Sequence, residues 1–549
     1  MSNSLINTAM SGLNAAQVAL STVSNNISNY NVAGYNRQTA ILAQNGGTQI
    51  TNGFVGNGVT VTSVNREYNQ FITNQLRHAQ GNAEAHNAYY EKISQIDNLL
   101  ASKTNSLSNN MQDFFANLQN LVSHSGDDAA RQTVLGKANG LVNQFNNTDK
   151  NLRDMDSGIN QQIGDCSQQI NSYSQQIAKL NDEITRLRGS GGEPNALLDQ
   201  RDQLVTELNK VVGVQVTEQD GGDYTVSFAN GLTLVQGNST YQVSAVPSSS
   251  DPARMILGYN HSQGASEVPE AQISSGILNG VLKFRSETLD GTRNQLGQIA
   301  LVLADKFNQQ HHAGFDLNGK AGSDFFSFSG SHMVDSSTHN TGSASLSVSY
   351  SDTQKVKAQD YRVEFDGSNW QVSRLPDNVK VNATAGADAD GKPRLSFDGL
   401  QVSIKGNAQN KDSFIVKPVS DVAGSLKVAI SDPSKIAAAG KADSGRGDNE
   451  NAKHLIDLQT KVLVDGKATF SGACASMVSN IGNQTAAAKV AATSQGCIVK
   501  QLTNQQQSIS GVNLDEEYGE LLRFQQYYMA NTQVIHTASS MFDALLNIR

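Results

Sequence analysis

One heptad pattern runs through residues 141–187, which read LVNQFNNTDKNLRDMDSGINQQIGDCSQQINSYSQQIAKLNDEITRL. Apolar residues recur there at alternating steps of three and four, with a single four-four step that reaches Ile163. A long coiled-coil helix tolerates one such stutter because its supercoil unwinds locally. At about 1.5 Å per residue the segment would extend over about 70 Å. We therefore expect a rod rather than a globule.

The N-terminal segment, residues 1–36, contains no Asp, Glu, Lys or Arg. A cleaved secretory signal begins with a positively charged region, so the segment does not match one. Its apolar residues follow heptad spacing on one helix face, opposite Ser, Asn, Gln and Thr. This N-terminal seam consists of Ile6, Ala9, Leu13, Ala16, Leu20, Val23 and Ile27.

The C-terminal segment, residues 512–549, carries a similar seam. It consists of Leu514, Leu521, Tyr528, Ile535 and Phe542 every seven residues, with Phe524, Ala538 and Leu545 three positions after a member. We predict that the two terminal helices pair as a coiled coil and provide the assembly interface. The interface residues would be Ile6, Leu13, Leu20, Ile27, Leu514, Leu521, Phe524, Tyr528, Ile535, Phe542 and Leu545. We expect each end to fray until its seam meets another helix, because isolated helices are marginal in water.

The middle of the chain alternates between helical and β patterns. Period-two alternation marks residues 214–234 and, between residues 340 and 434, a compact all-β insertion with Asp-Gly turns. The fold class predicted is an α+β multidomain rod: a long α-helical coiled-coil body with terminal helices and an inserted all-β domain. We divide it into an N-terminal helix that pairs with the C-terminal helix (1–36), three helical body segments (37–210, 271–335 and 441–511), a β-hairpin region (211–270), the β insertion (336–440) and the C-terminal helix (512–549).

Composition argues against several function classes. The 41 basic and 50 acidic residues leave a net charge of −9, so no strong positive field attracts nucleic acid. No run of about 18 apolar residues predicts membrane insertion. The cysteines Cys166, Cys474 and Cys497 are far apart, and no phosphate-binding loop, zinc motif or nucleophile elbow is present. We expect no catalytic residue, no cofactor and no metal site, and we predict that the protein is not an enzyme.

Five motifs in the two terminal segments carry a family resemblance. The chain reads LNAAQ at 13–17 and SNNISNYNVAGYNRQ at 24–38, then GVNLDEE at 511–517, FQQYY at 524–528 and FDALLNI at 542–548. These motifs resemble the terminal signatures of bacterial flagellar rod, hook and hook-associated axial proteins. The matching signature residues are Ser24, Asn25, Asn26, Gly34, Tyr35, Arg37 and Gln38.

The resemblance implies a structural subunit at the junction between hook and filament, in the extracellular flagellum. It further implies secretion through the flagellar type III apparatus and assembly with copies of the same chain. The implied partners are hook protein, hook-associated protein 3 and an export chaperone on the C-terminal segment, without nucleic acid or membrane insertion.

Two alternatives stay open. The first is a hook or rod axial subunit, although a short rod subunit has no room for the heptad pattern at 141–187. The second is a secreted rod-like adhesin or enzyme whose β insertion acts on a ligand, which would require converging polar groups that the insertion's sequence does not suggest.

Overall fold

The longest element of the protein is the helix that contains the heptad pattern. It begins at Asp128 rather than Leu141 and ends at Gly189, a length of 62 residues. The Asp127 carboxylate accepts the Ala129 backbone N–H at 2.8 Å and so caps its first turn. Arg186 and Arg188 lie in the last turn, where positive charge complements the helix dipole. At about 1.5 Å per residue this helix spans about 90 Å, and the other elements of the body are arranged along it.

The computed structural model describes residues 2–50, 53–101, 106–262, 264–330, 333–387, 391 and 393–546. Helices account for most of the regular structure in these residues. The helices are α1 (Ser2–Asn29), α2 (Gln70–Leu100), α3 (Leu107–Ser123), α4 (Asp128–Gly189), α5 (Asn195–Val211), α6 (Gly276–Phe284), α7 (Asp290–His312), α8 (Val422–Ser425), α9 (Glu450–Asp457), α10 (Phe470–Ser510) and α11 (Leu514–Leu546).

The strands of the described residues form small antiparallel sheets, in three groups along the chain. The first group is β1 (Gln38–Gln44) paired with β4 (Val59–Arg66), and β2 (Thr48–Ile50) paired with β3 (Gly53–Val55). The second contains β5 (Val214–Glu218), β6 (Tyr224–Phe228), β7 (Leu232–Gln236), β8 (Ser239–Thr240), β9 (Val243–Pro247), β10 (Met255–His261) and β11 (Gly264–Glu267).

The third group forms the inserted β domain. Its strands are β12 (Phe326–Ser327), β13 (Val334–Ser336), β14 (Ser345–Tyr350), β15 (Tyr361–Phe365), β16 (Trp370–Arg374), β17 (Lys380–Val381), β18 (Thr384–Ala387), β19 (Pro393–Phe397), β20 (Leu400–Lys405), β21 (Ser413–Val416) and β22 (Lys427–Val428). A five-stranded sheet has the order β13-β21-β15-β16-β17, and a four-stranded sheet has the order β14-β20-β19-β18. Alternating side chains of these strands, such as Val402 and Ile404, are buried. The α+β fold class with an inserted β domain is thus confirmed.

Three asparagines fasten α4 to the second group of strands. Asn171 donates from Nδ2 to the Val243 carbonyl at 2.7 Å and accepts the Val243 N–H at 2.9 Å. Asn160 likewise donates to the Ala253 carbonyl and accepts the Met255 N–H at the start of β10. Asn181 donates to the Tyr224 carbonyl and accepts the Tyr224 N–H in β6. Asn181 belongs to the buried stripe of α4, whereas Asn160 and Asn171 are half-buried beside that stripe. The same helix also packs on α3 and α5.

Two helices, α6 and α7, follow one another directly within the body segment 271–335. A π-helical turn at Arg285–Leu289 joins α6 to α7. Arg285 is buried there and donates to the Met255 carbonyl at 3.0 Å and to the Glu270 carboxylate. Such bulges accommodate one extra residue within a helix, and this one directs a guanidinium into the packed interior.

The terminal helices α1 and α11 pack along one another, and the β1–β4 hairpin lies against α1. This unit therefore combines residues from the first and the last parts of the described chain. Among the described helices, none combines the length and apolar character needed to cross a membrane.

Candidate functional site

Small residues form the buried face of α1. Ala9, Gly12, Ala16, Ala19 and Val23 are spaced by three or four and are buried. A Cβ atom added at Gly12 would lie 2.4 Å from the Asn531 Oδ1 atom of α11, closer than atoms can approach. The two helices therefore meet closely along a stripe that lacks large side chains.

The large residues of the N-terminal seam lie beside this stripe. Ile6, Leu13, Leu20 and Ile27 are each half-buried. On α11, Leu514, Leu521, Phe524 and Ile535 are also half-buried, whereas Tyr528 and Phe542 are exposed. Leu545 belongs to the helix, but its side chain lies outside the described part of the structure. Within one chain, these side chains keep much of their apolar surface in water.

Further apolar side chains on α11 are exposed. They are Tyr518, Leu522, Tyr527, Met529, Val534 and Met541. Tyr527, Val534 and Met541 are seven residues apart, so they share one helix face. Monomeric soluble proteins rarely expose contiguous apolar patches of this kind unless the patch binds something. The paired terminal helices thus leave a large part of their apolar surface uncovered within one chain.

The residues of the N-terminal signature converge on Asn26, which is buried. The Asn26 Oδ1 atom accepts the Tyr35 hydroxyl at 2.8 Å and the Gln38 N–H at 3.0 Å. Its Nδ2 group donates to the Gln38 carbonyl at 2.9 Å and to Glu517 Oε2 at 3.0 Å. One amide therefore joins α1, the chain that follows it, and α11.

Arg37 makes a second connection to α11. Its Nε–H donates to Glu517 Oε1 at 2.6 Å, and its Nη1 lies 3.3 Å from Glu516 Oε2. The Arg37 N–H donates to the Ser510 carbonyl at 2.9 Å, at the end of α10. Glu517 is only 1% exposed, and a buried carboxylate needs such partners to offset its desolvation. We call Asn26, Tyr35, Arg37, Gln38 and Glu517 the terminal clamp.

The remaining signature residues surround this clamp. Asn25 donates from Nδ2 to the Tyr35 hydroxyl at 3.3 Å, and the exposed Ser24 contributes its carbonyl to the Ser28 hydroxyl. Gly34 has a φ of +82°, a left-handed conformation that favours glycine. Burial, together with the charges of Asp199 and Glu517, raises the pKa of Tyr35 to about 12, so its hydroxyl stays a hydrogen-bond donor.

A second polar cluster ties the clamp to the body. Asn36 is buried and donates to Asp199 of α5 from its backbone N–H at 3.1 Å and from Nδ2 at 2.6 Å. Arg66 Nη1 lies 3.0 Å from Asp199 and 2.8 Å from Asp202. Burial raises the pKa of Asp199, although the bonds from Asn36 and Arg66 oppose that shift. Asp202 also accepts the Tyr224 hydroxyl at 2.9 Å.

Sequence reasoning did not assign roles to Glu517, Asp199, Asp202 or Arg66. Glu517 lies in the first turn of α11, and helix periodicity carries no information about a partner 491 residues away. The only available signal was the conspicuous polar run LLDQRD at residues 197–202.

The chemistry of the clamp is structural. Its groups are amides, a guanidinium, a phenol and carboxylates already bonded to one another, so none is held free as a nucleophile or base. In the described ranges, no group of three or more His, Cys, Asp and Glu side chains is arranged to hold a metal ion. The arrangement fixes the paired terminal helices relative to the body.

Family models match most of the chain. The flagellar hook-associated protein FlgK helical domain matches residues 93–326, and the D2-like domain of flagellar hook-associated protein 1 matches residues 335–418. The terminal motifs fall within two broader models, the flagella basal body rod protein at residues 6–36 and the C-terminal model of basal body rod proteins at residues 504–548.

Full-length relatives agree with these matches. The chain is 54% identical to flagellar hook-associated protein 1 of Salmonella typhimurium and to that of Escherichia coli, with all of each chain covered. The solved flagellar hook junction protein FlgK of Burkholderia pseudomallei superposes with a TM-score of 0.75 at 27% identity, covering 80% of this chain and all of that one. The chain therefore belongs to the flagellar hook-associated protein 1 family.

Proposed function

We propose that this protein is the structural subunit that joins hook to filament, and that it assembles through coiled-coil pairing of its terminal helices. The observation that carries the proposal is the half-buried pair of α1 and α11, which the terminal clamp holds in place. Burying a large apolar side chain contributes about 1.5–3 kcal/mol. Helices of neighbouring copies would supply that burial, so assembly and completion of the apolar core would be one event.

The terminal helices and the body have separate tasks in this proposal. The unit formed by residues 1–36 and 512–549 would pack in the interior of the assembly. The helical segments 37–210, 271–335 and 441–511 would form the surrounding body, and the β-hairpin region 211–270 and the insertion 336–440 would lie farther out. The proposed role is structural and requires no reaction.

Export through the flagellar type III apparatus would precede assembly. The uncharged segment 1–36 suits an uncleaved export signal, because it combines an apolar stripe with a polar, uncharged face. A chaperone would cover the seam of α11 before export, since Leu521, Phe524, Tyr528, Ile535 and Phe542 would otherwise be exposed when the segment has no partner. The same residues would then contact neighbouring copies in the extracellular flagellum.

The neighbours in the flagellum would be hook protein on one side and hook-associated protein 3 on the other, with copies of the same chain around the axis. Neither nucleic acid nor membrane insertion belongs to this role. The direct test is the addition of purified protein to isolated hooks that lack their junction. The proposal expects a short added zone that then binds hook-associated protein 3, and hooks that bind hook-associated protein 3 equally well without the added protein would contradict it.

Paired charge substitutions test the seam itself. Leu521→Asp with Ile535→Asp should abolish both chaperone binding and junction assembly, because a carboxylate in an apolar contact is strongly desolvated. The matched control is Gln526→Asp with Gln533→Asp, which adds the same charges at exposed positions of the same helix. Chaperone binding can be measured by calorimetry and assembly by electron microscopy. Normal assembly of the seam variant would refute the proposed interface.

A further inference from the structure

A large cavity separates the inserted β domain from the helical body. It has a volume of about 950 Å³ and is bounded by α6 and α7 of the body, the turn between β9 and β10, and the edge of the five-stranded sheet. A smaller cavity of about 390 Å³ adjoins it and shares several residues. The hollow interrupts the contact between the two surfaces, and apolar packing joins the β domain to the helical body beside it.

Ion pairs bridge this hollow. The Lys417 ammonium of the β domain lies 2.6 Å from Asp251 Oδ2 and 2.8 Å from Asp335 Oδ2. Arg254, beside β10, pairs with Asp251 at 3.0 Å and donates from Nη1 to Asp290 of α7 at 2.8 Å. Burial alone would raise the pKa of Asp251, but Lys417 and Arg254 lower it. These carboxylates are matched with cations.

Asp360 differs from its neighbours in the cluster. It immediately precedes β15, is 9% exposed and lines both cavities. Its Oδ1 atom is buried and has no hydrogen-bond partner in the described part of the chain. Burial and the nearby charge of Asp290 raise the pKa of Asp360 to about 6, against the opposing effects of Arg254, Lys417 and a side-chain hydrogen bond with Asn294. The chain thus places a carboxylate without a salt-bridge partner in the contact between two domains.

The charged groups around Asp360 come from every adjoining element. They are Asp290 and Arg293 on α7, Arg153 and Asp156 on α4, Asp251 and Arg254 beside β10, Asp335 on β13, Lys417 after β21 and Asp421 before α8. The larger cavity adds Glu267, Glu270, Lys283, Glu287 and Arg362. No histidine is among these lining residues, so the imidazoles of the chain do not contribute charge here.

We propose that docking of the inserted β domain on the helical body is linked to protonation, with Asp360 as the group that takes up the proton when the two surfaces close. In the docked state a neutral Asp360 carboxyl removes a like charge from Asp290 and can donate a hydrogen bond within the cavity. In the separated state the same carboxylate is solvated and ionised. The β domain therefore docks more tightly in mild acid than at neutral or higher pH.

The direction of the pH effect on docking follows from the pKa values of Asp360 in the docked and the separated state. The docked pKa of about 6 lies above the ordinary value of 3.8, so the docked form binds more protons between these values. Docking strengthens as pH falls through 6 and the effect is complete below about 4. Between pH 7.5 and pH 5 the docking equilibrium should shift about tenfold toward the closed form.

The single tryptophan provides a selective probe. Trp370 lies in β16 of the β domain, and it is the only tryptophan in the sequence. Urea unfolding of the full chain can be followed by its fluorescence, and unfolding of the helical body by circular dichroism at 222 nm. The comparison is wild type against Asp360→Asn at pH 7.5 and pH 5. All other titrating groups are common to both proteins, so the difference between them isolates Asp360.

Between pH 7.5 and pH 5 the unfolding constant of the wild-type β-domain transition should fall about tenfold, whereas that of the Asp360→Asn variant should not change through this residue. The Asp360→Asn protein should resemble acidic wild type already at pH 7.5. Asp377→Asn, an exposed residue of the same domain, should keep the wild-type response. An Asp360→Asn protein that retains the full wild-type pH dependence would overturn the proposal.

A second measurement covers the case in which Asp360→Asn does not fold. The wild-type chain labelled with ¹³C at aspartate carboxyls can be titrated by NMR. A midpoint near 6 for the carboxyl that is assigned to Asp360, and distinguished from that of Asp199, supports the proposal without any variant at position 360. Midpoints below 5 for every aspartate would overturn it.

Discussion

Glu517 is the residue through which the terminal clamp can be tested most directly. The substitution Glu517→Gln preserves its size but removes the charge that receives the Arg37 Nε–H at 2.6 Å and the Asn26 Nδ2 group at 3.0 Å. The amide retains one acceptor oxygen, so one of the two bonds can persist. The other becomes a contact between two donors.

The expected cost is about 2 kcal/mol, because a hydrogen bond to a charged group contributes about 1.5–3 kcal/mol and Glu517 is almost fully buried. Arg37 is 27% exposed and can turn toward water or Glu516, so we do not expect the larger cost of a fully buried unpaired charge. A difference of 2 kcal/mol corresponds to about a 30-fold change in the opening equilibrium of the terminal unit.

Amide hydrogen exchange in residues 16–29 of α1 measures that opening. Exchange in Glu517→Gln should accelerate about 30-fold there, whereas exchange in α4 should not change. The control is Glu516→Gln, which removes the same charge one residue earlier from a side chain that is 58% exposed. Exposed ion pairs contribute about 0–1 kcal/mol, so the control should change exchange by less than about fivefold. Equal exchange in the two variants would refute the assignment of Glu517 as the anchor.

Two further predictions concern the body. A Cβ atom at Gly297 of α7 would lie 1.9 Å from the Val419 carbonyl oxygen, so Gly297→Ala should destabilise the fold by about 1–3 kcal/mol in urea unfolding. The control Gly291→Ala adds a methyl group in open space on the same helix and should be neutral or slightly stabilising. Equal effects of the two substitutions would contradict the close approach at Gly297. Burial lowers the pKa of His311 to about 4, and its Nε2 accepts the Ala437 N–H at 2.9 Å, so the native ring is neutral. The imidazole of the unfolded chain becomes protonated near pH 6.5, so the stability that the neutral ring contributes should be complete above that pH and fall by about 3 kcal/mol as pH drops toward 4. His311→Gln should flatten this pH dependence of the unfolding free energy, measured from pH 7 to pH 4. An unchanged slope in the variant would be evidence against the buried neutral imidazole.

The order of the long helices and of the β domain along the chain could be predicted, because the spacing of apolar residues can be read directly from the sequence. The heptad pattern around Leu141 and Ile170 identified α4, and alternation around Val402 identified the β domain. The interval 141–187 leaves out the first turns of α4, although Val134 and Ala138 continue its buried stripe. The hydrogen bonds from the asparagines to the strands leave no mark in an apolar pattern. The π-helical turn at Arg285 leaves the spacing of apolar residues nearly unchanged, so the sequence does not indicate where the helix is interrupted.

The terminal site was only partly visible in the sequence. The seams identified two helices that need partners, but large residues such as Leu13 lie beside the contact while Gly12 and Ala16 form it. Close helix packing favours small residues, which a search for large apolar residues overlooks. Asn26 and Arg37 could be recognised as signature residues, yet their roles depend on Glu517, and that pairing follows from the fold rather than from local sequence.

The position of Glu517 also affects when the molecule can complete its fold. The Asn26–Glu517 bond closes a loop of 491 residues, and contacts of such sequence separation form late and slowly. During synthesis α1 exists long before its partner has been translated, so a ribosome-bound chain has no native anchor for its first helix. Translation that ends before Glu517 yields a chain whose body sequence is intact but whose terminal unit cannot close, and the clamp therefore distinguishes full-length from truncated subunits.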